Sequence, residues 1–252
     1  MVHAVTLDGG PDRVAAPRWL AEHAQRFQES GAAPAVPRLA ATVVLLRDHN
    51  GRLEIYTQRR AATMAFAPGM YAFPGGSVSS ADLASVAAGD ESSTAPAGAG
   101  TEAPTGPDAE ASVIARMGLP GPTARAVLLA AVREVAEETH VTLAPAALAP
   151  WARWLTPEFE PRRFDTFFFL APLPAGQQPV DPSGEADHAL WLPPAEAASR
   201  LPMMPPTRHV LTELAGFADV ASALAAAAQR DVSEPVRPVI EVDEEGTWLR
   251  LR

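Results

Sequence analysis

Glu134, Glu137 and Glu138 are the residues whose type and spacing point most directly to chemistry. They fall in a stretch, residues 123–139, that reads as one helix starting at Thr123 as N-cap. At about 100° per residue they lie at relative angles of about 0°, 300° and 40°, a single narrow stripe. Leu128, Ala131, Val132, Val135 and Thr139 gather on the opposite side, as a core-facing stripe should. The plain alternative is a solvated acidic face, which most charge runs are. Two facts weigh against it. Glu134 and Glu138 are like charges at i,i+4, and all three acids sit near the C-terminal end, where the helix dipole disfavours anions. Local relief comes from Arg133, four residues before Glu137. Each penalty is only a few tenths of a kcal/mol, but a divalent cation would turn it into a function. Mg²⁺ takes oxygen ligands in octahedral geometry and shares itself with substrate phosphate.

The elements that must position this stripe can be read around it. Residues 17–27 form a short amphipathic helix with Trp19, Leu20 and Phe27 as its apolar contacts, and 31–37 is a linker. Residues 39–46 and 53–58 are two strands joined by the turn-rich 48–51. Residues 66–76 form a loop punctuated by proline and glycine. Residues 79–111 contain almost no large apolar side chain, so most of this segment reads as a flexible excursion, with 84–110 dispensable for folding. A short helical turn is expected at 113–118. Beyond the acidic helix come strands at 151–155, 164–170 and 189–192, helices at 195–201 and 206–229, and a closing hairpin of 238–242 with 247–251. The pattern predicts an α/β sandwich around a mixed β-sheet. Residues 1–37 would be a helix and linker, and 38–252 one domain carrying the insertion and a C-terminal extension.

Composition narrows the partners. A net charge of −10 argues against nucleic acid or an anionic membrane. A phosphorylated small molecule stays open, because a divalent cation supplies positive charge. The chain has no cysteine, which excludes disulfides, thiolate metal sites and a cysteine nucleophile. His49, His188 and His209 are too scattered in sequence to suggest zinc. No apolar run approaches ~20 residues, and residues 1–11 show no basic-then-apolar pattern, so a cytoplasmic location is expected.

The acidic helix and the glycine loop before it resemble the Nudix hydrolase family. That family's signature runs Gly, five residues, Glu, seven residues, then Arg-Glu-apolar-x-Glu-Glu-x-Gly-apolar. Arg133, Glu134, Val135, Glu137, Glu138 and Val141 match its second half, and Phe73-Pro74-Gly75-Gly76 resembles its opening, with Gly76 as the first motif glycine. Three departures stand out. Fifty-six residues separate Gly76 from Arg133 where the family has about a dozen, a gap the low-complexity insertion explains. Seven residues before Arg133 the first motif acid falls on Arg125, so that acid is expected to be missing. His140 stands where the helix-ending glycine belongs, at a position where a left-handed cap costs a non-glycine residue something. Within the family the chain is most similar to the coenzyme A diphosphatase branch, through Gln58-Arg59-Arg60, Phe66-x-Pro68, Phe73–Gly76 and 154–168. Ala61 and Ala65 stand where the bacterial members of that branch carry serine and arginine.

The resemblance implies a Nudix-type α/β/α sandwich and a diphosphatase dependent on Mg²⁺ or Mn²⁺. The metal would be held by Glu134, Glu137, Glu138 and the Gly75 carbonyl. Arg133 would hold the carboxylates in place, while Arg60, Phe73, Gly76 and Arg163 would meet the substrate. A general base or further ligand is expected from Glu185, with Glu158 and Glu160 as alternatives. The implied substrate is coenzyme A or an acyl derivative, giving 3′,5′-ADP and (acyl)phosphopantetheine. The competing readings are ADP-ribose or a dinucleotide as substrate, or a non-catalytic module that senses a nucleotide or binds a protein.

Overall fold

The computed structural model describes residues 13–15, 18–64, 67–88, 107–180, 184, 186–244 and 246–251. The elements are β1 (Arg13–Ala15), α1 (Arg18–Ser30), β2 (Arg38–His49), β3 (Arg52–Arg60), β4 (Tyr71–Ala72), β5 (Gly75–Ser77), α2 (Ser80–Ala87), α3 (Pro107–Ala115), α4 (Gly121–Thr139), β6 (Ala149–Leu155), β7 (Phe164–Pro172), β8 (Ala186–Leu192), α5 (Pro194–Arg200), α6 (Pro205–Leu214), α7 (Val220–Ala227), β9 (Val239–Asp243) and β10 (Gly246–Arg250). They divide into two compact units. The smaller comprises residues 1–38, 154–165 and 235–252, and the larger residues 39–153 and 166–234.

The sheet of the larger unit starts from the hairpin of β2 and β3. Asn50 and Gly51 both have positive φ, 51° and 71°, the backbone that twists a two-residue turn to match its strands. The turn sets the antiparallel register His49↔Arg52 and Leu46↔Ile55. Val43 to Leu46 are all fully buried, so side chains on both faces of β2 are covered. The strands run in the order β4-β3-β2-β7-β6, with β5 added to β2 and β8 to β3. One face meets α4: Val43, Leu45, Tyr56, Phe167 and Phe169 pack with Val127, Leu128, Ala131 and Val135 in one core. Of those helix residues, Leu128, Ala131 and Val135 belong to the apolar stripe read on this helix. The fold is the expected mixed sheet with flanking helices.

The smaller unit carries a three-stranded antiparallel sheet, β1-β10-β9. The expected hairpin is present as β9 and β10, closed by the Asp243 carboxylate, which accepts from the Gly246 amide and from Trp248 Nε1, both at 3.0 Å. It pairs with Arg13–Ala15, a strand for which the sequence shows no periodic signal because three residues are too few to set a period. The hairpin and residues 154–165 group with the N-terminal segment, so the unit is assembled from three separated stretches of chain.

Three local expectations need correction. The helix read over 206–229 breaks into α6 and α7, because Asp219 caps a new helix by accepting from the Ser222 amide at 2.7 Å. The segment read as a flexible excursion is helical at both described ends, in α2 and α3. Alanine-rich sequence needs only a cap to form such turns, and Ser79 with Asp82 supplies a reciprocal capping box. Residues 89–106, where the rest of that expectation falls, lie outside the described residues. Finally, Thr123 is not the N-cap of α4; Pro120 is, with Pro122 in the first turn.

Candidate active site

The acidic stripe is built on α4, whose apolar back anchors it to the sheet, and it faces the turn Phe73-Pro74-Gly75-Gly76. That turn is clamped by β2. The Thr42 hydroxyl donates to the Pro74 carbonyl at 2.9 Å, and the Val43 amide donates to the same oxygen at 2.9 Å. Gly75 is required by space, and a side chain at Gly76 would displace the Glu134 carboxylate. A Cβ on Gly75 would come within 2.3 Å of the Ala41 carbonyl oxygen, and one on Gly76 within 2.2 Å of Glu134 Oε1. The second clash places the Glu134 carboxylate directly over the turn. Glu138 reaches the same turn, since the Gly75 amide donates to its Oε1 at a long 3.4 Å. Glu138 is buried, Glu134 largely so, and Glu137 half-exposed.

Arg133 organises this stripe. Its Nη1 donates to Glu134 Oε1 and Glu137 Oε2, each at 2.9 Å. The other edge of the guanidinium lies on Asp82, Nε to Oδ1 at 3.0 Å and Nη2 to Oδ2 at 3.1 Å, a two-pronged charge-assisted contact. Nη2 also donates to the Ser77 carbonyl at 3.3 Å. Asp82 thus does two jobs at once, capping α2 and fixing Arg133. Burial alone would push its carboxyl up, but the Arg133 contact and the Ser79 hydroxyl and amide outweigh it, leaving its pKa below the usual carboxylate range. The Arg133 guanidinium is held still more firmly in its charged form, first by Asp82 and then by Glu134.

Asp82 also corrects the reading of Arg125 as a missing acid. Counted forward from Gly76, five residues intervene before Asp82, which is the signature's own spacing. The acid is present as aspartate, and the fifty residues between Asp82 and Arg133 replace the usual seven. Counting forward from the glycine was the signal that finds it; counting back from the arginine crosses the insertion. Arg125 instead pairs with Glu110 of α3 at 2.5 Å. His140 takes the left-handed cap expected of the missing glycine, with φ 59°, and donates its amide to the Ala136 carbonyl.

The remaining expected site residues divide. Phe73 lies in the turn, but its ring is buried, so it packs rather than faces a ligand. The Arg60 backbone closes the loop after β3, accepting from Gly69 and donating to Met70. Arg163 belongs to the smaller unit, as do Glu158 and Glu160. Its buried guanidinium donates to the Thr156 and Ala35 carbonyls at 3.0 and 2.9 Å, which is structural work within that unit. Glu185 lies outside the described residues. A residue not expected is Gln58 of β3. Buried against α4, it donates through Nε2 to Glu138 Oε2.

Among the described residues, no three His, Asp or Glu side chains close around one point that could hold a metal. Arg133 and Gln58 engage the carboxylates instead. The donor set nevertheless fits a hard cation chemically, with three carboxylates beside a backbone turn. One observation supports that fit directly. Gln58 Oε1, on the amide that grips Glu138, is buried without a hydrogen-bond partner.

Residues 118–214 match the family model of the NUDIX domain. The match takes in Arg133–Glu138 but not Gly75-Gly76 and Asp82, which the insertion sets apart. The fold is similar to a crystal structure of a NUDIX hydrolase from Alicyclobacillus acidocaldarius, at 24% identity and TM-score 0.57, covering 80% of this chain and 99% of that one. Weaker likenesses are to a C. elegans Ap4A hydrolase (16% identity, TM-score 0.43, 71% of this chain and 99% of that one) and to the NUDIX domain of Shewanella oneidensis NrtR complexed with ADP ribose (15%, 0.45, 78% and 96%). No curated protein matches the chain. Among the described residues no helix is long and apolar enough to cross a membrane. The sequence likeness to the NUDIX domain thus lies in residues 118–214, and the fold is similar to that of a NUDIX hydrolase.

Proposed function

We propose that this chain hydrolyses the diphosphate of a nucleoside diphosphate-linked small molecule with Mg²⁺ or Mn²⁺, and that its substrate is coenzyme A or an acyl-coenzyme A. The observation that carries the chemistry is the Asp82–Arg133 contact. It holds Glu134 and Glu137 on one guanidinium while Glu134 and Glu138 flank the Gly75-Gly76 turn.

A diphosphate resists attack because it is a polyanion with a charged leaving group, so catalysis is mostly positioning and charge neutralisation. A divalent cation, when bound, supplies that neutralisation and a more acidic water. Glu134, Glu137, Glu138 and the Gly75 carbonyl are the oxygen donors proposed to hold it. Arg133 orients Glu134 and Glu137, and Asp82 keeps Arg133 in place. Gly76 leaves the space in which the Glu134 carboxylate sits. Arg60 is the proposed phosphate contact. Glu185 is the proposed base, taking the proton of the attacking water.

The coenzyme A reading rests on residues: Gln58-Arg59-Arg60, Phe66-x-Pro68 and Phe73–Gly76 stand together in one stretch. Against it, Ala65 lacks a charged donor that those enzymes place on phosphate, worth ~1.5–3 kcal/mol. A panel of coenzyme A, acetyl-coenzyme A, ADP-ribose, NADH and diadenosine polyphosphates, assayed with Mg²⁺, Mn²⁺ and EDTA, tests both levels. Coenzyme A should give 3′,5′-ADP and 4′-phosphopantetheine, with no turnover in EDTA. If kcat/KM for ADP-ribose or NADH is tenfold higher than for coenzyme A, the substrate assignment fails and the diphosphatase chemistry stands. Full activity in EDTA removes the metal, and cleavage of nothing in the panel favours a nucleotide-sensing module.

A further inference from the structure

The geometry points to Gln58 as a residue of the cation site that works through both ends of its amide, an inference resting on the metal-dependent reading above. Gln58 lies near the end of β3, with its backbone already paired to Ala72 of β4 and Ala189 of β8, so its side chain is free of sheet duties. It is 6% exposed, and so is Glu138, its partner on α4. The amide donates through Nε2 to Glu138 Oε2. Against an ionised carboxylate only this orientation is attractive; the flipped amide would set oxygen against oxygen. The orientation leaves Oε1 buried and without a hydrogen-bond partner.

An amide oxygen stranded in this way is costly, because burial has removed its water and given nothing back. An apolar side chain of similar size at position 58 would pack without that cost. The stranded oxygen is explained if a divalent cation completes the site. The two ends of one planar amide are about 2.3 Å apart, so Oε1 lies close beside the Nε2–Glu138 contact. Nε2 then orients the Glu138 carboxylate, and Oε1 is a neutral oxygen donor toward the cation. Gln58 is a positioning residue for Glu138 and a ligand-type residue for the metal, contributed by the sheet rather than by the acidic helix.

The test is Mn²⁺ titration of the full chain, followed by the electron paramagnetic resonance of free Mn²⁺, alongside thermal unfolding in EDTA. Wild-type protein should bind Mn²⁺; if it does not, the metal-dependent reading itself fails. Given that binding, Gln58→Leu should weaken it at least tenfold while the protein still unfolds cooperatively in EDTA. Gln58→Glu keeps an oxygen donor but sets a second carboxylate against Glu138. It should lower the melting temperature in EDTA yet bind Mn²⁺ within threefold of wild type, or more tightly. Equal loss of binding in both variants overturns the role of Oε1, leaving Gln58 only as a clamp on Glu138. Unchanged Mn²⁺ binding in Gln58→Leu, or in Gln58→Met should the leucine variant not fold, overturns the inference altogether.

Discussion

Two arginines about two turns apart on α4 each hold an acid from one end of the inserted segment, and they do opposite kinds of work. Arg125 meets Glu110 of α3 in a single contact at 2.5 Å. Arg133 meets Asp82 with two prongs and passes the constraint on to Glu134, Glu137 and the Ser77 carbonyl. The Asp82 carboxylate is buried, while the Glu110–Arg125 pair is only part-covered. The first contact fastens a helix. The second sets the geometry of a site. The difference teaches that fifty residues between Asp82 and Arg133 are tolerated where Asp82 keeps its contact with Arg133, because loop closure adds cost only slowly with length.

The sharpest way to break this comparison is to remove a carboxylate that Arg133 does not hold. Glu138→Gln should lower kcat by ~100-fold or more, since charge stabilisation of a transferring phosphoryl group is worth several kcal/mol. Steady-state assay of the best substrate in the panel measures this, and circular dichroism should show an unchanged fold. A variant as active as wild type would end the assignment of Glu138 to the site.

The two arginine contacts can then be cut separately. Asp82→Ala loses a buried charge pair and one half of the α2 capping box together, so it should cost ~2 kcal/mol or more in urea unfolding and slow turnover as well. Arg125→Ala should cost under ~1 kcal/mol and leave kcat unaltered, as part-exposed pairs do. Equal effects from the two substitutions would show that Arg133 is no more than a surface clip.

Acid should reveal the same asymmetry. The Asp82 carboxyl is depressed in the folded chain, so it binds its proton less readily there than in the unfolded chain. Its stabilisation is therefore complete above the ordinary carboxylate range, near ~4, and is lost as pH falls through the lower folded value. The urea midpoint of wild type minus that of Asp82→Asn should shrink below about pH 4. A difference that stays constant down to acid pH contradicts the depressed carboxyl. The smallest effect is expected at the end of α4. His140→Gly should stabilise by ~0.5–1 kcal/mol, because glycine accepts the left-handed cap without strain. The melting temperature should rise by a few degrees, and an unchanged or lower value contradicts strain at this cap.

The sequence by itself determined what is periodic or local. The 3.6-residue spacing of Leu128, Val132 and Val135 against Glu134, Glu137 and Glu138 set the two faces of α4. Asn50-Gly51 set the first hairpin, since few residue pairs tolerate two positive φ angles. Cap chemistry was equally written in the chain, in Ser79-x-x-Asp82 and Asp219-x-x-Ser222, but composition outvoted it. The alanine-rich run after Ser79 read as unstructured, and the alanine-rich stretch after Val220 as part of one long helix.

Only the tertiary structure decided which distant residues meet. Asp82 finds Arg133 across the insertion, Gln58 finds Glu138 from another strand, and Arg163 spends its guanidinium on Thr156 and Ala35 carbonyls. Phe73 turns inward although its neighbours form the glycine turn. The physical reason is one of range. Periodicity and caps report on interactions within a few residues, where the chain's own geometry fixes the distance. A hydrogen bond between residues fifty or eighty positions apart depends on how whole elements pack, and single-residue patterns carry no record of that packing.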